Sequence, residues 1–237
     1  MRFCFYSGGM TNLFPKSVYT IPAGVPFALA LADGIGKLAG DSESLARAMI
    51  MVPSRRAAQS LRAAFLEIQN GQASLLPRIV PLGDVEDDSP DMLSMPDIDA
   101  LCPPAIDPLK RQLTLARLLR GFTLGGMAPT PPQTVMLADS LGRLLDALSN
   151  ADAKPAQLRE LLPDRFSVHW QDIIALLSIL NDRWPLILEE GGVIDAADRR
   201  NRLLRLRCDI WREQCPQDMI IIAGSTGTFA STRELIG

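Results

Sequence analysis

The chain has few of the residues that most often build metal sites and catalytic centres. It contains one histidine, His169, and four cysteines, none of them in a CxxC pair. Zinc sites of the Cys/His type need about four such ligands at close spacing, so we expect no metal, and reduced thiols instead. The string AGSTG at 223–227 lacks the GxSxG pattern of a hydrolase nucleophile. We therefore assign no catalytic residue.

Long apolar runs and an excess of basic residues are also missing. No apolar stretch approaches the roughly 20 residues that a membrane-spanning helix needs, so we expect no membrane partner and a cytoplasmic location. The formal net charge is −3, which taken alone argues against nucleic-acid binding. A composition of 47% hydrophobic and 22% charged residues nevertheless predicts a folded protein with a sizeable core.

Strand and helix patterns alternate in the first 85 residues. Short β-branched or aliphatic runs predict strands, and apolar residues at helical spacing predict helices. Strands are predicted here at 18–21, 49–52 and 78–81, and helices at 27–39 and along the stretch carrying Ala57, Leu61, Ala64 and Phe65. A further strand is predicted near the end of the chain, at 219–223. This order favours a parallel sheet covered by helices, with the continuous apolar run at 219–223 as a central, buried strand.

Residues 108–213 carry only helical patterns. Two apolar stripes stand out, and Asp195 is a candidate N-cap for a last helix that ends near Glu213. The stripes contain Leu137, Leu141, Leu144, Leu145 and Leu148, and then Trp170, Ile173, Ile174, Leu177, Leu180, Trp184 and Ile187. The group Arg199, Arg200, Arg202, Arg205 and Arg207 spreads around more than half of a helix, which indicates a solvated face with ion pairs.

These patterns predict five segments. Residues 1–11 are expected to be disordered or to arise from an early start codon. Residues 12–84 begin an α/β domain, 85–104 form an acidic, proline-rich linker, and 105–216 form a helical insertion. Residues 217–237 return to the α/β domain with a strand and the start of a helix, so we expect the chain to be a fragment.

The acidic linker changes the meaning of the net charge. Residues 84–99 contain seven acidic side chains and no lysine or arginine, and leaving them out turns the net charge from −3 to +4. The rest of the chain is mildly basic, so the charge no longer argues against contact with DNA.

Two turns at the ends of predicted strands are candidate sites. Ser54, Arg55 and Arg56 begin a helix directly after a strand, where free backbone N–H groups and guanidinium groups suit a phosphate, although a solvated helix start would look the same. Pro22, Ala23, Gly24, Val25, Pro26 and Phe27 occupy the place of a phosphate-binding loop. Residues 22–27 lack the Lys and Ser/Thr of the GxxxxGK[ST] pattern, so we expect them to keep the strand-to-helix turn but not to bind phosphate.

Five stretches in order carry a resemblance to a known family. They are TIPAGVPFALALADGI (20–35), MIMVPSRRAAQSLRAAF (49–65), LLPRIVPLGDVEDD (75–88), PPAIDPLKRQLTLARLL (103–119) and MIIIAGSTGTFAST (219–232). Together they resemble the N-terminal part of the AddB family, the double-strand break repair subunits of AddAB helicase–nucleases, in its alphaproteobacterial form. The resemblance covers about residues 12–237 and is specific only as an ordered set.

The resemblance implies an α/β fold with a parallel-sheet, P-loop-like core, similar to the first motor domain of superfamily 1 helicases, and a large all-helical insertion. Residues 52–61 match the segment that touches single-stranded DNA, and 78–87 match the next DNA-facing segment, which adds Arg78 to the candidate DNA contacts. Ala223 and Gly224 stand where these helicases carry an Asp-Glu pair for magnesium and water. The chain is therefore expected to bind no cofactor and to hydrolyse no ATP.

The family also implies partners and a cellular role. They are the AddA helicase–nuclease subunit, single-stranded DNA and broken double-stranded DNA, in double-strand break end processing and recombinational repair close to the bacterial nucleoid. The second motor-like domain and the nuclease domain of the family, which carries an iron–sulfur cluster in many members, are not within these 237 residues. Two alternatives stay open: a structural partner-binding module without DNA contact, and an active P-loop ATPase.

Overall fold

A computed structural model describes residues 18–70, 72–82, 102–123, 126–154, 157 and 176–236. The chain divides into two compact units. The first unit combines Met1–Pro81 with Pro216–Gly224, and the second combines Leu82–Cys215 with Ser225–Gly237. Much of the predicted acidic linker, the predicted N-terminal segment 1–11, and residues 158–175 with His169 and Trp170 lie outside the described residues.

The first unit is an α/β structure. Its helices are α1 (Phe27–Ala39), α2 (Ser42–Arg47) and α3 (Arg55–Ile68), and its strands are β1 (Met49–Val52), β2 (Arg78–Pro81) and β3 (Ile220–Ile222). The strands form a parallel sheet in the order β2-β1-β3. A mixed α/β fold with a small parallel sheet is therefore confirmed.

One face of this sheet carries the core of the unit. Ile50 of β1 aligns with Ile79 of β2 and with Ile221 of β3, so the three side chains share one face. Helices α1 and α3 cover that face with small and aliphatic residues at helical spacing, and Leu61 and Phe65 of α3 are almost fully buried. The predicted helix 27–39 and the predicted apolar face of α3 are confirmed.

The predicted strand at 18–21 is wrong. These residues are not part of the described sheet, and Val18 and Tyr19 are 62% and 37% exposed. A β-branched run becomes a strand only where a neighbouring strand pairs with it and a packed face buries its side chains. The position of β3 also differs from the prediction, because β1 is the central strand and all three residues of β3 are partly exposed.

The second unit is helical. Within the described residues this unit contains α4 (Pro108–Leu118), α5 (Pro131–Asn150), α6 (Trp184–Glu190), α7 (Ala196–Glu213) and α8 (Ala230–Ile236), and a π-helical turn at Ile179–Arg183 leads into α6. This turn lies just before Pro185, which has no N–H to continue a regular helix. The predicted last helix is confirmed at α7.

The core of the second unit lies between α4, α5 and α6. Both predicted stripes contribute buried residues to the described part: Leu141, Leu145, Leu148, Leu177, Leu180 and Trp184. Helix α8 packs against α7, where Ser231 donates a buried hydrogen bond of 2.7 Å to Asn201. Helix α8 is grouped with the helical unit, whereas β3 is grouped with the α/β unit.

Candidate functional site

The carboxyl ends of β1 and β3 place three predicted segments at one edge of the sheet. β1 ends at Val52 and leads through Pro53 into α3, while β3 ends at Ile222 and leads to Ala223 and Gly224. A Cβ atom on Gly224 would lie 3.4 Å from Cζ of Phe27 and 3.8 Å from Cδ of Pro53, so the starts of α1 and α3 meet there. Parallel α/β sheets bind their ligands at this edge.

The start of α3 has the features of an anion site. Ser54 is its N-cap, with extended backbone angles, and its Oγ accepts a hydrogen bond of 3.2 Å from the Ala57 N–H. The first turn contains no acidic residue, and the side chains of Arg55 and Arg56 are exposed. The positive end of the helix dipole and two cationic side chains thus occur together, which favours an anionic ligand.

Arg78 lies away from this group. It is the first residue of β2 and aligns with Met49, the first residue of β1, whereas Ser54 follows the last residue of β1. Its backbone N–H donates to the Ala48 carbonyl at 2.9 Å. At about 3.3 Å per residue, the length of the strand separates Arg78 from the start of α3. The structure therefore brings together Ser54, Arg55 and Arg56 at the carboxyl ends of the strands. Arg78 lies at the amino ends of the strands.

Arg62 on α3 has a role that the sequence pattern did not predict. Its guanidinium Nη2 donates a hydrogen bond of 3.2 Å to the Ile79 carbonyl of β2. This bond satisfies an acceptor on an edge strand of the described sheet, where unpaired backbone groups otherwise invite pairing with another chain. Arg62 is thus engaged in the fold and is not part of the cationic group at the start of α3.

The loop at the start of α1 offers few donors for a phosphate. The Val25 N–H closes a turn onto the Pro22 carbonyl at 3.4 Å, and Gly24 has a φ of 84°. Pro22 and Pro26 have no backbone N–H at all, and Pro26 is the N-cap of α1 without a side-chain cap bond. A phosphate-binding loop works through converging backbone N–H groups, a Lys and a hydroxyl. This loop presents an aromatic ring instead.

The end of β3 also lacks the groups of an ATPase. Ala223 is buried, and its N–H donates to the Met51 carbonyl at 2.9 Å. Gly224 has a φ of 68°, in the left-handed region that favours glycine, and a Cβ there would be in van der Waals contact with the ring of Phe27. Neither residue can hold magnesium or orient water, which are the roles of the Asp-Glu pair in motor ATPases.

A buried charge network in the second unit was not predicted. Nε of Arg111 donates to Oδ1 of Asp195 at 2.7 Å, and its terminal nitrogens donate to the carboxylate of Asp146 and to the Gly142 carbonyl. Nε1 of Trp184 donates to the other oxygen of Asp195 at 2.8 Å. Burial raises the pKa of the Asp195 carboxyl, while Arg111 and Trp184 act in the opposite direction. Each acceptor oxygen has a donor, so this network supports the fold.

The arginine group on α7 forms ion pairs, as predicted, but only Arg202 of the five is exposed, so the group is less solvated than predicted. Arg202 pairs with Asp198 and Arg205 pairs with Asp152, both at 2.9 Å. Arg199 donates to the Pro103 carbonyl at 3.1 Å. The guanidinium of Arg200 lies 4.7 Å from the ring centre of Phe229, and that of Arg207 lies 5.0 Å from the ring centre of Trp211. These arginines form no single basic stripe along the helix.

The helical unit also contains a half-open cavity of about 700 Å³. Leu145, Leu180, Leu188 and other apolar side chains line one part of it, and Trp184 and Asp195 lie at its wall. The polar groups of Asp195 are already paired with Arg111 and Trp184. The lining also includes charged side chains, among them Asp152, Lys154 and Glu189, whereas both oxygens of Asp195 already have donors.

Three cysteines lie in the described residues, and none of them forms a disulfide bond. Cys102 and Cys208 are buried and Cys215 is exposed. Burial, together with nearby acidic groups, raises the pKa of the Cys208 thiol. Within the described ranges, no group of three or more His, Cys, Asp or Glu side chains is placed to hold a metal ion. The helices of those ranges include none long and apolar enough to cross a membrane.

We find no protein-family model, curated protein or solved structure that matches the chain.

Proposed function

We propose that the chain is a helicase-like, ATPase-inactive module of an AddB-type subunit that guides single-stranded DNA during double-strand break repair. The observation that carries the proposal is the start of α3, where Ser54, Arg55 and Arg56 are exposed at the carboxyl edge of the parallel sheet. Phosphate contacts supply most of the affinity of proteins that bind DNA without sequence preference. The ordered resemblance to the AddB family supplies the biological context.

The P-loop-like description of the core is part of this proposal. The order of strand β1, helix α3 and strand β2, with β3 on the other side of β1, fits a parallel helicase-like sheet. The loop at 22–27 and the pair Ala223–Gly224 lack the charged groups that phosphoryl transfer requires. We therefore propose a fold like that of a helicase motor domain that does not hydrolyse ATP. We propose that it docks on an AddA-type partner in the bacterial cytoplasm near the nucleoid.

Fluorescence anisotropy with a labelled single-stranded oligonucleotide tests DNA binding. We expect the 237-residue chain to bind at low salt, and we expect Arg55→Ala with Arg56→Ala to weaken binding. Arg143→Ala with Arg212→Ala removes two charges of the same sign from exposed positions, where each arginine pairs with an aspartate, and serves as the matched control. If affinity is no better than about millimolar, or the Arg55/Arg56 variant equals the control, the DNA-guiding role is wrong.

A second measurement addresses ATP. We expect no DNA-stimulated ATP turnover from the purified chain. Turnover that disappears when residues 22–27 are changed would support the alternative of an active ATPase.

A structural partner-binding module is the other alternative. Leu109 and Leu113 of α4 lie one helical turn apart and are 63% and 50% exposed, which favours contact with another surface. Co-purification of the chain with an AddA-type subunit, together with a loss of complex in Leu109→Ser with Leu113→Ser, would support docking. That result in the absence of any DNA affinity would favour a purely structural role.

A further inference from the structure

The ring of Phe27 is an unusual feature of the carboxyl edge. Phe27 is the first residue of α1, and 49% of its surface is exposed although phenylalanine is normally buried. Its Cζ and Cε1 atoms lie 3.4 and 3.6 Å from the position of a Cβ on Gly224. The ring is thus held against the backbone at the end of β3 and remains half open to solvent.

The surroundings of the ring point to a ligand with both a flat face and negative charge. Cδ of Pro53 lies 3.8 Å from the same Cβ position on Gly224, and Pro53 leads directly to Ser54. The exposed side chains of Arg55 and Arg56 follow in the first turn of α3, which carries no acidic residue. An exposed aromatic ring beside cationic side chains is the combination with which proteins hold single-stranded nucleic acid.

We propose that Phe27 is a stacking residue that holds one base of single-stranded DNA while Arg55 and Arg56 contact the adjacent phosphates. This proposal rests on the proposed function and names a contact within it. Every base presents a π face, so such a contact gives affinity without sequence preference. The loop before α1 then serves the DNA through an aromatic contact and not through phosphate binding.

The glycine at 224 is part of this arrangement. Any side chain at this position would meet the ring of Phe27 at about 3.4 Å and would also strain a backbone with φ of 68°. Glycine suits this position because of its φ, and the ring packs near it while the rest of the ring surface stays available to a base.

The test compares two oligonucleotides of equal length, an oligothymidine and the same strand with abasic sites. We expect Phe27→Leu, which keeps an apolar side chain at the helix start, to weaken binding of the oligothymidine by about 5-fold to 100-fold. Binding of the abasic strand should not change. Phe27→Trp should keep the affinity of the native chain, because indole stacks at least as well. Leu38→Ala, at the other end of α1 and 45% exposed, is the control and should bind both strands normally.

The outcomes separate this proposal from the proposed function. If Phe27→Leu binds both strands like the native chain while the Arg55/Arg56 variant is weakened, stacking is wrong and DNA guiding stands. Equal weakening of both strands by Phe27→Leu also overturns stacking, because the loss then does not depend on a base. If the native chain binds neither strand, the proposed function fails and stacking fails with it.

Discussion

A substitution of Arg111 tests whether its ion pairs stabilise the helical unit. Its guanidinium donates to two carboxylates and to one carbonyl, and its side chain is only 14% exposed. Arg111→Met keeps the apolar stem and removes the charge. The change leaves Asp195, whose side chain is 12% exposed, with Trp184 as its one remaining donor among the bonds described above.

The expected cost follows from this geometry. Breaking a buried ion pair by removing one partner costs about 3–5 kcal/mol, because the other charge stays buried without compensation. Asp146 is 38% exposed and can turn to water, so the lower end of the range applies. We therefore expect Arg111→Met to lower the free energy of unfolding by about 3 kcal/mol at pH 7.

The pH dependence of this loss follows from the carboxyl group. Burial raises the pKa of Asp195 above its ordinary value of 3.8, so the folded chain binds that proton more tightly than the unfolded chain. This tighter proton binding stabilises the folded chain below pH 3.8, the ordinary pKa of the carboxyl group. The stabilisation is lost as pH rises through the pKa of Asp195 in the folded chain. Removing Arg111 raises this pKa further, because the guanidinium lowers it. The loss should therefore be smaller at pH 4 than at pH 7.

Urea unfolding followed by tryptophan fluorescence measures this loss, since all three tryptophans lie in the sequence of the helical unit. Adding Asp195→Asn to Arg111→Met removes the buried charge, and the difference between pH 4 and pH 7 should then disappear. A loss below about 1 kcal/mol at pH 7, or an equal loss at both pH values, would refute the reasoning.

Three further predictions concern the first unit and the thiols. Ser54→Ala should cost about 1 kcal/mol of stability in thermal unfolding, whereas Ser54→Asp should keep the cap and the stability but weaken DNA binding; equal DNA affinity in both variants would contradict the site. Gly224→Ala should cost about 1–3 kcal/mol, because φ is 68° and an L side chain strains such a backbone, and an unchanged melting temperature would count against this backbone geometry. In a Cys4→Ser background, a thiol reagent should modify Cys215 well before Cys102 and Cys208, which are buried, and simultaneous modification would contradict the structure.

Local patterns predicted much of the secondary structure. The spacing of apolar residues located α1 and the buried face of α3, because a helix that covers a sheet must repeat its apolar residues every three to four positions. The helix α2 was missed, although Asp41 carries the signal, since its side chain caps the helix by accepting from the Ser44 N–H at 2.8 Å.

Longer-range relationships could not be read from the sequence. The run at 18–21 has the composition of a strand, but strand formation depends on a pairing partner that local sequence does not specify. Arg78 was grouped with Ser54 by the resemblance, and the register of β2 against β1 separates them. Arg111 and Asp195 are 84 positions apart, and the residues around each of them do not indicate that the two side chains pair.

The salt dependence of single-stranded DNA affinity tests the central claim most directly. For single strands, each phosphate contact contributes about 0.7 to the slope of log affinity against log salt concentration. The account predicts that Arg55→Ala with Arg56→Ala makes this slope shallower by about 1.4, while Arg143→Ala with Arg212→Ala leaves it unchanged. Equal slopes for the native chain and the Arg55/Arg56 variant would show that the start of α3 does not contact the DNA backbone.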